Sequence, residues 1–350
     1  DLPLPVADPA RLAVSDAATQ EDTPIRLSID AALTDLDHQG GETLSIIVEH
    51  MPPGATLSHG TPMGDGTWKL SPADLHDLVL TPGQDWSGEA TLSIRAIVTG
   101  SQGDQKETVL PLHLSVEAVA DAPALGASGT GREDTRVPLA LDVRTTDIDG
   151  SESITAIAIA GVPAGATLSA GTQDSAGVWH LAPSELAGLT LTPPHDFSGT
   201  IPLVLTATSA EPNGSTASST LPFDVHVGAV ADAPPASATD SSGAEDSWVP
   251  LHGLAAALSD TDGSESLTTF ILGVPDGALL SAGARQPDGS WQVPVASLGT
   301  LALHLAADQA GDIALTLRAV STEADPAALV PTAVTDVPFT VHVAPVVDGA

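Results

Sequence analysis

Short acidic motifs recur along this chain at a constant spacing, and carboxylates are the side chains with which proteins bind hard divalent cations. Glu21-Asp22-Thr23 returns as Glu133-Asp134-Thr135 and as Glu245-Asp246-Ser247, in two steps of 112 residues (from 21 to 133 and from 133 to 245). The loop from Asp147 to Glu152 (Asp-Ile-Asp-Gly-Ser-Glu) returns from Asp260 to Glu265. A repeated acidic motif predicts a repeated structural unit whose loops carry cation ligands.

Two further motifs follow the same period. Asp85-Trp86-Ser87-Gly88 matches Asp196-Phe197-Ser198-Gly199, and the linker-like segment Val119–Pro123 (Val-Ala-Asp-Ala-Pro) matches Val230–Pro234. Three repeats therefore cover nearly the whole chain, and we predict domains at residues 1–119, 120–230 and 231–350. About 112 residues suit one immunoglobulin-like sandwich each.

Runs of strand-forming residues alternate with turn signals within each repeat. In the second repeat, seven such runs extend from Val137 to Val227, and Pro183–Leu186 is typical of one short helical turn. High Gly (32) and Pro (29) counts favour short strands and turns over long helices. The predicted fold is all-β, with three tandem immunoglobulin-like β-sandwich domains in an extended rod.

The order of the loops predicts where the acidic motifs meet. In an antiparallel sandwich, successive loops lie at alternate ends, so the Glu-Asp-Thr and Asp-(Trp/Phe)-Ser-Gly loops of one repeat face the linker and the Asp-x-Asp loop of the next repeat. The predicted set at the first junction is Glu21, Asp22, Asp85, Asp121, Asp147, Asp149 and Glu152. The predicted set at the second junction is Glu133, Asp134, Asp196, Asp232, Asp260, Asp262 and Glu265. Asp35 and Asp37 form the corresponding Asp-x-Asp pair of the first repeat.

Crowded carboxylates repel one another unless a cation lies among them. Calcium takes about six to eight oxygen ligands in flexible geometry, whereas magnesium keeps more of its water, so Ca²⁺ is the predicted cofactor. Zinc, whose protein ligands are usually His and Cys, is not expected in these loops. The alternative is that each Asp is an ordinary turn residue, because Asp, Gly and Ser are common in turns.

The overall charge limits the classes of partner that the chain is expected to bind. The chain has 45 acidic and 10 basic residues and a net charge of −35, so we expect no nucleic-acid partner and no attraction to anionic membranes. It has no stretch of 18 apolar residues to insert in a membrane, and it has no Cys. Because it begins at Asp1 without a signal peptide, we expect a monomeric fragment of a longer protein, whose partners are neighbouring repeats of the same chain.

Catalysis is not expected. The sequence contains neither a Gly-x-Ser-x-Gly elbow nor a His-Glu-x-x-His pair, and an enzyme rarely needs three similar copies of its site. The alternative to a structural role is a ligand-binding adhesion module that contacts a sugar or a protein directly. Trp248, the one Trp without an aromatic counterpart in the other repeats, is the candidate contact residue or else packs at the domain end.

Taken together, these motifs resemble the extender repeats of giant bacterial RTX adhesins and their bacterial cadherin-like relatives. The resemblance rests on the Val-Ala-Asp-Ala-Pro linkers, the Glu-Asp-Thr copies, Asp-x-Asp-Gly-Ser-Glu and Gly-Val-Pro-x-Gly-Ala, and it covers essentially the whole chain. It implies cadherin-like domains with calcium-stiffened junctions, type I secretion, and an extracellular location on the surface of a Gram-negative bacterium. The implied function is to project an adhesive tip for attachment and biofilm formation. Two departures are the absence of the glycine-rich nonapeptides and the displacement of Glu42 by two extra residues.

Overall fold

The computed structural model describes residues 6–34 and 41–347 of the chain, and these form two compact units. The first unit comprises Asp1–Leu125, Asp142–Ile157 and Thr206–Thr220, and the second comprises Gly126–Leu141, Ala158–Leu205 and Leu221–Ala350. The first repeat therefore lies in the first unit and the third repeat in the second, while the middle repeat contributes to both. The domain boundaries at residues 119 and 230 stay a prediction.

Strands dominate all three repeats, so the all-β prediction is confirmed. The first repeat contains β1 (Arg11–Val14), β2 (Ala17–Gln20), β3 (Ile25–Arg26), β4 (Ile29–Ala32), β5 (Thr43–Glu49), β6 (Thr56–Leu57), β7 (Thr61–Gly64), β8 (Thr67–Leu70), β9 (Val79–Thr81), β10 (Gly88–Thr99) and β11 (Gln105–Glu117). The second contains β12 (Ala124–Arg132), β13 (Val137–Arg144), β14 (Ser153–Ala160), β15 (Thr167–Leu168), β16 (Thr172–Gln173), β17 (Trp179–Leu181), β18 (Thr190–Thr192), β19 (Gly199–Ala210) and β20 (Thr216–Gly228). The third contains β21 (Ala236–Thr239), β22 (Ser241–Ala244), β23 (Val249–Pro250), β24 (His252–Ala256), β25 (Glu265–Leu272), β26 (Leu279–Leu280), β27 (Ala284–Arg285), β28 (Trp291–Val293), β29 (Ala302–His304), β30 (Gly311–Glu323) and β31 (Thr332–Ala344). The described residues of each repeat also form one short 3-10 helix, at Pro72–Leu75, Pro183–Glu185 and Val295–Thr300.

In the first unit, the first repeat forms a sandwich of a six-stranded sheet and smaller sheets. The larger sheet has the order β2-β11-β10-β5-β8-β7, and the smaller sheets are β3-β9-β6 and the pair β1-β4. The long hairpin of β10 and β11 pairs antiparallel from Gly88 to Thr99. Strand β2 adds parallel to the end of β11, where Ala17–Gln20 lie beside Leu114–Glu117. This parallel pairing brings the Glu21-Asp22 turn beside the linker that leaves β11.

In the second unit, the third repeat has the same topology. Its six-stranded sheet is β22-β31-β30-β25-β28-β27, and its smaller sheets are β23-β29-β26 and β21-β24. Strand β22 again lies parallel to the last strand, β31. The second unit also contains the equivalent parallel pair of the middle repeat, in which Gly129–Arg132 of β12 lie beside Val225–Gly228 of β20.

The cores lie between the sheets and follow the two-residue period of a strand. Along β10, Leu92, Ile94, Ala96 and Val98 are fully buried while their neighbours are more exposed. The core of the first repeat joins Ile46 and Leu92 of the large sheet to Leu80 of the small sheet. Rigid cores hold the strand ends in place, and the acidic loops connect those ends.

Candidate metal centres

The first unit brings together three carboxylates that lie far apart in the sequence. One oxygen each of Asp22, Asp85 and Asp121 lies within 4.8 Å of the others. Asp22 lies between β2 and β3, Asp85 lies between β9 and β10, and Asp121 lies in the linker between β11 and β12. Two turns of one repeat and its outgoing linker therefore share a single acidic group.

An unusual backbone conformation fixes this group. Asp22 and Asp85 have φ of 55° and 54°, a left-handed conformation that Asp tolerates better than most residues. The Asp85 backbone N–H donates to Oδ1 of Asp22 at 3.0 Å. The pattern recurs at Asp134 with Asp196 and at Asp246 with Asp308, all at φ between 54° and 59°. Each pair holds two carboxylates at one place.

A second group in the first unit consists of Asp147, Glu152 and Glu211, again with one oxygen each within 4.8 Å of the others. The Ser151 hydroxyl donates either to Asp147 at 3.0 Å or to Glu211 at 2.9 Å. Backbone N–H groups of Ser151 and Glu152 donate to Asp147 at 3.0 and 3.2 Å. Burial favours the neutral acid, but these hydrogen bonds outweigh it and hold the pKa of Asp147 below its ordinary value.

The two groups are joined through the linker. The Ile148 N–H donates to Oδ2 of Asp85 at 3.1 Å. The Val119 N–H donates to Oε1 of Glu21, and the Asp121 N–H donates to Oε1 of Glu152. Glutamates before and after the linker thus hold alternate N–H groups of its backbone. We refer to Glu21, Asp22, Asp85, Asp121, Asp147, Glu152 and Glu211 as the first acidic cluster.

The second unit has a similar arrangement, in which His195 stands in the first group in place of a linker aspartate. Its two groups are Asp134 with His195 and Asp196, and Asp260 with Glu265 and Glu323. The Val230 N–H donates to Glu133, and the Asp232 N–H donates to Oε1 of Glu265 at 2.6 Å. The second acidic cluster consists of Glu133, Asp134, His195, Asp196, Asp232, Asp260, Glu265 and Glu323.

Burial and mutual repulsion favour the neutral form of several of these acids. Burial, and after it the charges of Glu211, Asp121 and Asp147, raise the pKa of Glu21 to about 7. Burial, with Glu265 and Asp260, likewise raises the pKa of Glu323 to about 7. These acids therefore hold a proton more readily than a free glutamate does, unless a positive charge lies beside them.

Sequence reasoning missed three members of these clusters. Glu211 and Glu323 lie just beyond β19 and at the end of β30, and their separation of 112 residues (from 211 to 323) matches the repeat. That period was the signal that could have found them. His195 directly precedes Asp196, so the expectation that zinc ligands are lacking is wrong for the second cluster.

Other predicted residues lie at the edge of the clusters or outside the described part. Asp149 and Asp262 each accept an N–H within their own loop, from Ser151 at 2.8 Å and from Ser264 at 2.6 Å. Asp35 and Asp37 lie outside the described residues. Glu42 accepts the Asp8 N–H at 3.0 Å, as Glu152 does for Asp121, so the insertion did not remove its contact with the incoming linker.

The donor set fits calcium. Within the described residues, Oε2 of Glu133, Glu152, Glu211 and Glu265 and both carboxylate oxygens of Glu323 are buried without a hydrogen-bond donor. A buried charge without a partner is costly, and a cation is the partner that several inward-facing carboxylates require. Apart from His195, every side chain of the two clusters offers oxygen, as Ca²⁺ prefers.

Comparison with known proteins gives structural similarity alone. No family model and no curated protein matches the chain. Mouse cadherin-23 EC22–24 is similar over 95% of this chain and 96% of that chain, with 13% identity and a TM-score of 0.40. Protocadherin gamma B2 domains 1–5 align over 95% of this chain and 59% of that chain, with 13% identity and a TM-score of 0.38. Drosophila N-cadherin EC1–4 aligns over 98% and 74%, with 15% identity and a TM-score of 0.31.

These three structures are all of cadherin extracellular repeats. No helix in the described part of the chain has the length and apolar character needed to cross a membrane.

Proposed function

We propose that this chain is a calcium-braced extender of an extracellular adhesin, built from three tandem cadherin-like repeats. One observation carries the proposal. Each acidic cluster combines carboxylates from the loops of one repeat and the loops of the next repeat, with Asp121 or Asp232 of the outgoing linker beside them, and several of their oxygens are buried without a donor. A ligand set drawn from both sides of a linker suits a brace for that linker.

The residues of the first cluster have two roles, which are to hold the linker backbone and to bind calcium. Glu21 and Glu152 hold the linker backbone through the N–H groups of Val119 and Asp121. Asp22, Asp85 and Asp121 form one candidate ion site, and Asp147, Glu152 and Glu211 form another. Bound calcium supplies the positive charge that these carboxylates lack. When calcium is removed, two carboxylates about 4 Å apart repel by roughly 4 kcal/mol at an effective dielectric constant near 20.

Calcium binding also stabilises the folded repeats, because the unfolded chain does not bring these loops together. In a cell, the chain stays loose where calcium is scarce and stiffens outside. This behaviour suits the type I secretion, Gram-negative surface location and biofilm role implied by the RTX-like motifs. The extender then separates an adhesive tip from the cell surface.

Calcium titration calorimetry on the whole chain tests the proposal. The four groups of candidate ligands predict at least four bound calcium ions. Asp85→Asn removes a charge from a side chain that is 4% exposed, and we expect it to weaken binding at the first cluster. Asp224→Asn, an exposed acid of β20 outside the clusters, is the matched control. Calorimetry that shows no calcium binding, or equal loss in both variants, would sink the proposal.

Direct ligand binding is the second candidate, and Trp248 is the observation that favours it. This side chain is 48% exposed, and its ring packs edge-on against His304 with the centroids 5.2 Å apart. An exposed indole face is a common contact for sugars and proteins. A glycan array that shows binding by the wild-type chain and none by Trp248→Ala would favour this function. An array that shows no binding by the wild-type chain would favour the extender function instead.

A further inference from the structure

We propose that the second acidic cluster also binds a borderline divalent metal such as Zn²⁺, through His195, Asp134 and Asp196, and that the first cluster does not. The site shares carboxylates with the candidate calcium site, so the inference rests on the same cluster as the proposed function. It differs in the chemistry of one ligand. Imidazole suits zinc, copper and nickel, whereas calcium prefers oxygen throughout.

The geometry places three ligand atoms around one point. One ligand atom each of Asp134, His195 and Asp196 lies within 4.8 Å of the others. Nδ1 of His195 lies 2.5 Å from Oδ1 of Asp196. Ligand atoms around a tetrahedral zinc are about 3.3 Å apart, given metal–ligand distances near 2.0–2.2 Å. The His195–Asp196 pair therefore has to open by about 1 Å to admit the ion, and the ligand atom of Asp134 lies within 4.8 Å of both.

The backbone of both aspartates is fixed in a tight turn, whereas the exposed imidazole is free to adjust. Asp134 and Asp196 are held in the left-handed conformation, and the Asp196 N–H donates to Oδ1 of Asp134 at 2.9 Å. The Asp196 side chain is 9% exposed, and among the described residues its Oδ1 has no hydrogen bond of good geometry. The His195 side chain, in contrast, is 81% exposed, so it can rotate and the metal has a route from solvent.

The other repeats lack this ligand. Gln84 precedes Asp85 in the first repeat, and Ala307 precedes Asp308 in the third. Neither side chain offers an imidazole nitrogen, although the paired left-handed aspartates are present in both repeats. Three protein ligands with water in the fourth position make an open site, at which the metal exchanges readily. The chain therefore carries its own comparison between a site with imidazole and sites without it.

Zinc titration calorimetry on the whole chain tests this inference, with and without saturating calcium. We expect one zinc equivalent that competes with calcium, at least tenfold weaker binding in His195→Gln, and an added equivalent in Gln84→His. His180→Gln is the matched control, because His180 also lies 2.9 Å from a carboxylate, Asp174, but outside the four ligand groups of the described residues. Its zinc affinity should match that of the wild type.

Two further readouts separate metal ligation from an ordinary ion pair. Nitrogen-15 spectra should show a zinc-induced shift of the His195 imidazole, and Co²⁺ should give a visible absorption band that His195→Gln loses. Calcium affinity of His195→Gln checks that the cluster still folds. Zinc binding that is absent, or equal in wild type and His195→Gln, overturns the inference. Zinc binding without any calcium binding would support the inference and overturn the calcium brace.

Discussion

Glu323→Gln should stabilise the calcium-free chain and destabilise the calcium-bound chain. The Glu323 side chain is 7% exposed, and both of its oxygens are buried without a hydrogen-bond donor in the described part of the chain. Its pKa is raised to about 7, first by burial and then by Glu265, Asp260 and Asp262. Glutamine keeps the shape and removes the charge. In EGTA at pH 8, the substitution therefore relieves a buried, repelled carboxylate.

The expected size follows from ordinary burial costs. An unsatisfied buried polar group costs about 1–3 kcal/mol, and more when it is charged, so Glu323→Gln should stabilise the calcium-free chain by at least 1 kcal/mol. A change of 1 kcal/mol shifts the Tm of a domain near 100 residues by about 4 °C. In saturating calcium the sign reverses, because each tenfold loss of affinity removes about 1.4 kcal/mol of linked stability.

Differential scanning calorimetry in EGTA and in calcium measures both values, with Asp224→Asn as the control for loss of one exposed charge. We expect a higher Tm than wild type in EGTA and a lower Tm in calcium. A shift of the same sign in both buffers would refute the view that Glu323 is a cation ligand. It would indicate that the residue acts through packing alone.

Three other changes test separate parts of the structure. The pKa of Glu21 and of Glu133 is raised to about 7, so the folded state binds more protons than the unfolded chain between pH 5 and pH 8. The stability of the calcium-free chain should therefore fall from pH 5 to pH 8. A melting temperature in EGTA that rises with pH would contradict this. Asp134→Ala should lower the free energy of unfolding by about 1–3 kcal/mol even in EGTA, because the Asp196 N–H loses its acceptor. Asp134→Asn keeps an acceptor oxygen, so it should leave the stability in EGTA nearly unchanged and weaken calcium binding. Equal melting temperatures for the two variants in EGTA would argue against the turn geometry. Leu329→Gly should lower the melting temperature in EGTA, because glycine keeps the backbone N–H that Leu329 donates to Ala229 at 2.9 Å but removes the side chain that lies against Gly228; no change would show that this side-chain contact adds nothing to stability.

Most of the fold could be predicted from the period of 112 residues, because each copy repeats the same order of strands and turns. Strand predictions in the second repeat fell close to the structure, as with Ser153–Ile159 against β14 (Ser153–Ala160). The first strand, β12 (Ala124–Arg132), was missed because its Gly, Ala and Ser residues lack the alternation of a half-buried strand.

The loops of the clusters were predictable from topology, and their full membership was not. Loops at one end of a sandwich meet because strand direction alternates, which brings Asp85 to Asp22 and Asp121. Glu211 and Glu323 escaped because each adjoins a long hairpin strand, outside any motif rich in Asp and Gly. Side-chain direction at a strand end depends on packing, which sequence spacing does not record. Whether the clustered residues bind calcium stays a prediction.

Small-angle X-ray scattering on the whole chain, in calcium and then in excess EGTA, tests the central claim most directly. If calcium braces both linkers, the maximum dimension is long and sharply defined in calcium, and the distance distribution broadens in EGTA. Returning calcium should restore the first curve. Superimposable curves in the two buffers would contradict the account, because the acidic loops would then be turn residues that need no cation to hold the linkers.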